Sequence, residues 1–201
     1  MKKQSMSTRK LVVAALMTAL VVILQCMGAF VKFGPFSVSL VLIPIVIGTI
    51  TCGEIVGAWL GLVFGLVVLA SGDAGVFLAV NIPGTIFTVL AKGIACGYLS
   101  GLVYKLVNKL LSGKFSQSSY VAAVCSAIAC PVVNTGVFLL GCFMFFMETI
   151  SSWAAAQNLG NAVGEYIIYF LVGGNFLFEM ALSVIFAPAM VHILKVVNKG
   201  K

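Results

Sequence analysis

Residues 81–104 read NIPGTIFTVLAKGIACGYLSGLVY, and the only charged side chain in this stretch is that of Lys92. An α-helix needs about 20 mostly apolar residues to cross the hydrocarbon layer of a membrane. Asn81 and Pro83 mark its start, because asparagine favours the cap position and proline favours the first turn. The stretch therefore predicts a membrane-spanning helix with a lysine near its middle.

Similar apolar stretches recur along the whole chain. The 201 residues are 62% hydrophobic and 8% charged, whereas soluble domains carry about 25% charged residues. Pro44, Pro131 and Pro188 lie inside apolar stretches and predict bends, because proline lacks a backbone N–H group. We predict an all-α fold, a single integral membrane domain over residues 1–201 that forms a polytopic bundle of six transmembrane helices. The spans cover roughly residues 10–30, 36–51, 54–71, 81–104, 119–147 and 166–194.

The basic residues predict the orientation, because cytoplasmic loops of membrane proteins carry an excess of lysine and arginine. With six spans both termini are cytoplasmic, Lys32 lies outside, and Lys92 lies in the membrane. The other basic residues lie at helix ends and are not interleaved with aromatic residues. They therefore indicate contact with the lipid bilayer and not with nucleic acid. Ten of the twelve basic residues then lie in the cytoplasm: Lys2, Lys3, Arg9, Lys10, Lys105, Lys109, Lys114, Lys195, Lys199 and Lys201.

Small residues at four-residue spacing predict helix contacts, because they let helix backbones approach closely in lipid. Their commonest role is packing within one chain. Ala15 and Ala19 show a weaker form of this pattern in the first segment. The two longer stripes are Gly57, Gly61 and Gly65 in the third segment and Gly93, Gly97 and Gly101 in the fourth.

The sequence lacks the motifs of catalysis. Gly113-Lys114 is followed by Phe115, where a phosphate-binding loop requires serine or threonine. His192 is the only histidine, and the six cysteines form no C-x-x-C pair, which favours a packing role for them. We predict that the protein is not an enzyme and holds neither a metal ion nor a cofactor.

Lys92 and Glu179 are ionisable residues predicted at similar depth in the membrane. A charge near the bilayer centre costs roughly 2.5–3.5 kcal/mol on insertion scales, so each should face the bundle interior. They form either a structural pair or a polar site in which Lys92 binds an anionic group. Asn175 precedes Glu179 by four residues and shares its helical face. Asn134 either lines the same site or repairs the backbone near Pro131.

Three predicted outer segments, residues 32–39, 71–81 and 148–165, are rich in glycine, serine, asparagine and aromatic residues. Such segments could close over a small polar molecule. They could equally be interfacial loops, with Trp153 at the level of the lipid headgroups.

Several stretches, together with the span pattern, carry a resemblance that covers nearly the whole chain. They are Thr8-Arg9-Lys10-Leu11, Phe33-Gly34-Pro35-Phe36, Gly57-Ala58-Trp59-Leu60-Gly61-Leu62, Ala91-Lys92-Gly93 and Gly101-Leu102-Val103-Tyr104-Lys105, with Ala15, Ala19 and Pro44. The chain resembles the substrate-specific S component of energy-coupling factor (ECF) vitamin transporters. The resemblance implies a cell (plasma) membrane protein that captures a vitamin outside. It also implies partners, a transmembrane coupling protein and two ATPase subunits, that drive release inside.

The resemblance also implies residue roles. Ala15 and Ala19 would contact the coupling protein. Pantothenate is the favoured vitamin, because Lys32 and Lys92 suit a small carboxylate. Riboflavin is next, because Phe30, Phe33 and Phe36 could stack on a flavin, and other vitamins stay open. The implied substrate-binding residues are Lys32, Phe36, Asn81, Lys92, Asn134, Asn175 and Glu179.

A stand-alone transporter driven by an ion gradient is the alternative function. It would favour an inverted repeat between the halves of the chain and carboxylates along a path. We see no clear repeat, and Glu179 is the only acidic residue near the predicted membrane centre. These observations favour the S component.

Overall fold

The computed structural model describes residues 8–28, 32–33, 36–37, 40–112, 118–157, 163–168 and 173–198. Within these ranges the chain is helical apart from one pair of two-residue strands, which pair antiparallel. In chain order the elements are α1 (Thr8–Gly28), β1 (Lys32–Phe33), β2 (Phe36–Ser37), α2 (Leu42–Cys52), α3 (Glu54–Ala70), α4 (Gly75–Leu78), α5 (Ile82–Leu111), α6 (Ser118–Phe145), α7 (Met147–Ala156), α8 (Val163–Tyr166) and α9 (Gly174–Asn198).

The helical fold agrees with the prediction. Each predicted segment overlaps one of the helices α1, α2, α3, α5, α6 and α9. Of the described helices, α1, α5 and α6 are long and apolar enough to cross a membrane by length and composition. Helices α2 and α3, and residues Phe176–Ala189 of α9, are shorter apolar helices. The count of six spans and the cytoplasmic termini stay predictions.

One predicted segment starts too early. The second was placed at residues 36–51, but α2 begins at Leu42, because the chain first forms the strand pair of Lys32–Phe33 and Phe36–Ser37. The sixth was placed at residues 166–194, and the described residues of this region, 163–168 and 173–198, are helical. Pro44 lies in the first turn of α2, where its missing N–H removes no helical hydrogen bond, so no bend is needed there. Pro131 and Pro188 lie inside α6 and α9 as predicted.

The antiparallel helices α3 and α5 meet through the two glycine stripes. A Cβ atom added to Gly57 would overlap the carbonyl oxygen of Gly97, and one added to Gly61 would overlap that of Gly93. Cβ atoms added to Gly93 and Gly97 would overlap Gly61 and Gly57 in return. Close packing of this kind holds helices together in lipid. The stripes therefore act within the chain, as predicted, and fix the register of the two helices.

One end of the bundle carries polar contacts between lysines and the corner of α2 and α3, and we call it the basic end. Gly53 joins the two helices as a single residue with φ 107°, in the left-handed region that favours glycine. Cys52 Sγ donates a hydrogen bond to the backbone oxygen of Lys10 at 3.5 Å. Lys105 of α5 forms an ion pair with Glu54 of α3. These contacts join the starts of α1 and α3 to the second half of α5.

Most of the bundle interior is apolar and tightly packed. Ser126 Oγ of α6 donates to the backbone oxygen of Ser100 of α5 at 2.9 Å, and both residues are buried. All six cysteines are free, and three of them are fully buried, in line with the predicted packing role. Fully buried side chains in this core are Val21, Ile45, Leu60, Cys96, Ala127 and Cys130.

Gly61→Ala tests the glycine contact. We expect it to lower the free energy of unfolding by about 1–3 kcal/mol, the usual cost of overpacking, because the new methyl group pushes α3 away from α5. The measurement is unfolding of the detergent-purified protein. Gly136→Ala is the matched control, since a Cβ atom there meets no other atom within 4 Å and alanine favours the helix. Equal stability of the two variants would contradict the contact.

Candidate functional site

Lys92 lies at the centre of the candidate site, ten residues after the first residue of α5. Its Nζ atom is 5.6 Å from the ring centre of Phe64 on α3 and 5.4 Å from that of Phe138 on α6. Aromatic ring faces attract cations at such distances, by about 0.5–2 kcal/mol depending on desolvation. The rings of Phe64 and Phe138 thus place partial negative charge beside the ammonium group.

Glu179 is the main acidic neighbour of Lys92. It is buried on α9, and among carboxylates its charge acts on Lys92 most strongly, ahead of Asp73. It lies five residues after the first residue of α9. The structure still brings the two charges together inside the bundle, as the cost of an isolated charge in lipid requires.

Two buried polar atoms near Lys92 have no hydrogen-bond partner within the described ranges. They are Oγ1 of Thr88 on α5 and Oδ1 of Asn134 on α6, whose residues are 3% and 5% exposed. Asn134 was predicted from the sequence, but Thr88 was not. The sequence feature that points to Thr88 is its position four residues before Lys92, which places the two residues on one helical face.

Aromatic side chains cover the site at the end of the bundle opposite to the basic end, which we call the aromatic end. The ring of Phe77 on α4 lies 5.6 Å from Phe138, 5.0 Å from Phe146 and 5.7 Å from Trp153 on α7. Gln25 Nε2 of α1 donates to Asp73 Oδ2 at 2.7 Å at the same end. Parts of two predicted outer segments, residues 71–81 and 148–157, therefore pack together beside the ring that contacts Lys92.

The other predicted site residues are placed as follows. Asn81 Oδ1 accepts a hydrogen bond from the backbone N–H of Gly84 at 3.0 Å, so Asn81 caps α5 as predicted. Lys32 and Phe36 lie in the strand pair, and Asn175 lies in the first turn of α9; their side chains lie outside the described part of the structure. Ala15 and Ala19 are exposed on α1.

A cavity of about 340 Å³ opens at the basic end, away from this site. Its lining includes Lys10, Thr51, Glu54, Tyr104 and Lys105 and none of the predicted substrate-binding residues. Nor do the described residues contain a group of three histidine, cysteine or acidic side chains that could hold a metal ion. The site around Lys92 offers one cation, one carboxylate, an amide, a hydroxyl group and aromatic rings. These groups are suited to binding a small polar molecule with an anionic group.

The electrostatic contact between Lys92 and Glu179 is tested by a double-mutant cycle. We expect Glu179→Gln to destabilise the protein less when Lys92→Met is also present, with a coupling free energy of about 0.5–3 kcal/mol. The measurement is the free energy of unfolding of the four proteins. Glu54→Gln with Lys92→Met is the matched control and should be additive, because Glu54 pairs with Lys105 at the other end. Additivity for Glu179 would contradict the contact.

Comparison with known proteins covers nearly the whole chain. The family described as "ECF transporter, substrate-specific component" matches residues 9–193. The chain is 28% identical to the pantothenic acid transporter PanT of Lactococcus lactis subsp. cremoris (strain MG1363), over 96% of both chains. Its structure is similar to that of ThiT from Listeria monocytogenes, with a TM-score of 0.62, 19% identity, and coverage of 92% of this chain and 96% of that chain.

The family match confirms the resemblance that the sequence indicated. It spans every helix that contributes to the site, and the similarity to ThiT shows a shared fold. The chain is therefore a multi-pass membrane transport protein and not an enzyme, and it belongs to the family of substrate-specific components of ECF transporters.

Proposed function

We propose that this chain captures pantothenate outside the cell and delivers it to the cytoplasm. It would work in the plasma membrane with a transmembrane coupling protein and two ATPase subunits. The observation that carries the proposal is the 28% identity to a pantothenic acid transporter over 96% of both chains. The half-buried ammonium group of Lys92 adds support, because pantothenate is a small carboxylate.

Riboflavin is the second candidate substrate. A flavin would favour aromatic faces that can stack on its flat ring system. The described contacts of Phe77 with Phe138, Phe146 and Trp153 are instead edge-to-face, with interplanar angles of 88°, 73° and 70°. A cation in a compact aromatic site suits a carboxylate better than a flavin ring.

The proposed topology has six spans with both termini in the cytoplasm. The basic end then faces the cytoplasm, since it carries Lys10 and Lys105 and is followed along α5 by Lys109. Lys92 lies about 15 Å along α5 from its first residue, from the rise of a helix. This distance is half of the roughly 30 Å hydrocarbon layer. The aromatic end would cover the site from the outside.

The proposed contact surface for the coupling protein is the exposed face of α1. Ala15 and Ala19 are exposed there beside Leu11, Leu16 and Ile23. Two small residues between larger apolar ones allow a partner helix to approach the backbone closely. The face would bind the partner without involving the site around Lys92.

Direct binding tests the proposed substrate. We expect pantothenate, alone among water-soluble vitamins, to stabilise the detergent-purified protein. A ligand that binds only the folded state adds about 4 kcal/mol at 1,000 times its Kd. The measurement is a thermal-shift screen followed by titration calorimetry. Binding of riboflavin instead of pantothenate would overturn the substrate assignment.

Ala15→Leu with Ala19→Leu tests the docking face. We expect this double variant to abolish uptake into cells while its affinity for pantothenate stays unchanged. The larger leucine side chains would prevent the partner helix from approaching α1, but they lie away from the site around Lys92. Ala181→Leu with Ala189→Leu, at exposed positions of α9, is the matched control and should transport normally.

Two outcomes would contradict this scheme. Loss of binding along with uptake in the α1 variant would remove the docking role of Ala15 and Ala19. Uptake by the purified chain alone in liposomes, abolished by collapse of the ion gradient, would support the stand-alone transporter instead.

A further inference from the structure

The hydroxyl group of Thr88 differs in its hydrogen bonding from those of four other buried or half-buried threonines of the described helices. Thr18, Thr49, Thr51 and Thr85 each donate a hydrogen bond to the carbonyl oxygen four residues earlier, at 2.6–2.8 Å. This local bond is the usual way for a threonine to satisfy its hydroxyl group inside a helix. Oγ1 of Thr88 is buried and makes no hydrogen bond within the described ranges.

Asn134 shows the same feature on the facing helix. Its Oδ1 atom is buried and accepts no hydrogen bond within the described ranges. Leaving a buried polar atom without a partner costs about 1–3 kcal/mol. Two such atoms on facing helices, close to the half-buried Lys92, are unusual in a well-packed bundle and need a physical reason.

The packing of α5 against α6 gives the relative position of the two atoms. A Cβ atom added to Gly141 would overlap the side chain of Thr88, and Lys92 lies against Phe138. Since the helices are antiparallel, Asn134 lies one turn beyond Phe138 toward the basic end. Thr88 therefore lies one turn from Lys92 toward the aromatic end, about 6 Å along the axis of α5. Asn134 lies on the facing helix, nearer to the basic end than Thr88.

The unpartnered atoms also indicate which chemical groups they can bind. Thr88 and Lys92 are one turn apart on the same face of α5, so a hydroxyl donor and a cation point to one region. Both are suited to a single carboxylate, which has two oxygen atoms and accepts several hydrogen bonds. Asn134 Oδ1 can only accept, so its partner must carry an N–H or O–H group.

We propose that Thr88 and Lys92 together bind the carboxylate of the substrate, while Asn134 Oδ1 accepts a hydrogen bond from an amide N–H or hydroxyl group of the same molecule. The ligand class is a small, extended carboxylate with an amide or hydroxyl donor beyond the carboxylate. This inference rests on the proposed capture function and gives the orientation of the substrate in the site. Pantothenate has this combination of groups, with its carboxylate at one end and its amide and hydroxyl groups beyond.

Thr88→Val tests the assignment, with Thr85→Val as the matched control. Both side chains are buried on α5, but the hydroxyl group of Thr85 already donates to the backbone oxygen of Asn81 at 2.7 Å. We expect Thr88→Val to weaken pantothenate binding about 10- to 100-fold, the size of a lost hydrogen bond to a charged group. Thr85→Val should keep the wild-type affinity. Thr88→Ser, which retains the hydroxyl group, should restore most of the binding.

Stability of the ligand-free protein distinguishes a binding role from a structural one. Thr88→Val removes a hydroxyl group that makes no hydrogen bond, so the melting temperature should stay the same or rise. Thr85→Val removes a hydrogen bond and should lower it. A fall in melting temperature for Thr88→Val without loss of affinity would overturn the proposal.

The substrate can be varied as well, by using panthenol, in which an alcohol replaces the carboxylate of pantothenate. We expect wild-type protein to bind panthenol more weakly than pantothenate, and Thr88→Val and Lys92→Met to bind panthenol as wild type does. Asn134→Leu should weaken the binding of pantothenate and of panthenol by the same factor, because both ligands carry the amide and hydroxyl groups. Titration calorimetry measures all four proteins with both ligands.

The outcomes separate this inference from the proposed function. If wild-type protein binds no pantothenate, the proposed function itself fails. If wild-type protein binds pantothenate and Thr88→Val binds it equally well, the function stands and the role of Thr88 is wrong. Equal losses of pantothenate and panthenol binding in Thr88→Val would also overturn the carboxylate contact.

Discussion

The backbone contact between α3 and α5 fixes the arrangement of the candidate site. Gly61 and Gly93 pack against each other's carbonyl oxygens, which leaves no freedom for the two helices to slide. Phe64 lies one turn from Gly61, and Lys92 directly precedes Gly93. The glycine contact therefore sets the ring of Phe64 beside the ammonium group of Lys92. Side chains that are far apart in sequence become neighbours because two helix axes are held close.

The charge of Lys92 imposes the second constraint on the interior. Moving an ammonium group out of water is costly, and the cost falls only when other groups replace its hydration. The rings of Phe64 and Phe138 and the charge of Glu179 supply part of this replacement. A substrate carboxylate would supply more, so the same charge that destabilises the empty protein can favour the bound state. Retaining such a residue makes physical sense if the protein captures a carboxylate as proposed.

Local chemistry made much of the fold predictable from the sequence. The cap at Asn81, the two glycine stripes and the interior position of Lys92 each follow from the properties of a few adjacent residues. The start of α2 was not predictable in this way, because residues 36–41 are apolar enough for either a strand or a helix. Thr88 was missed because its spacing from Lys92 does not distinguish it from Thr85, which lies three residues earlier on the same helical face. Only the packed structure shows which of the two hydroxyl groups has a partner.

The single-residue connection at Gly53 has a consequence for the synthesis of the protein. Helix α2 has 11 residues and is only about 16 Å long, far short of the roughly 30 Å hydrocarbon layer. A helix this short is not stably inserted on its own during synthesis. Gly53 is the single residue between α2 and α3, so there is no loop between them that could stay in water. In the proposed six-span topology, the two helices therefore enter the bilayer together as one hairpin. Biogenesis of this part of the protein would then be a single cooperative step.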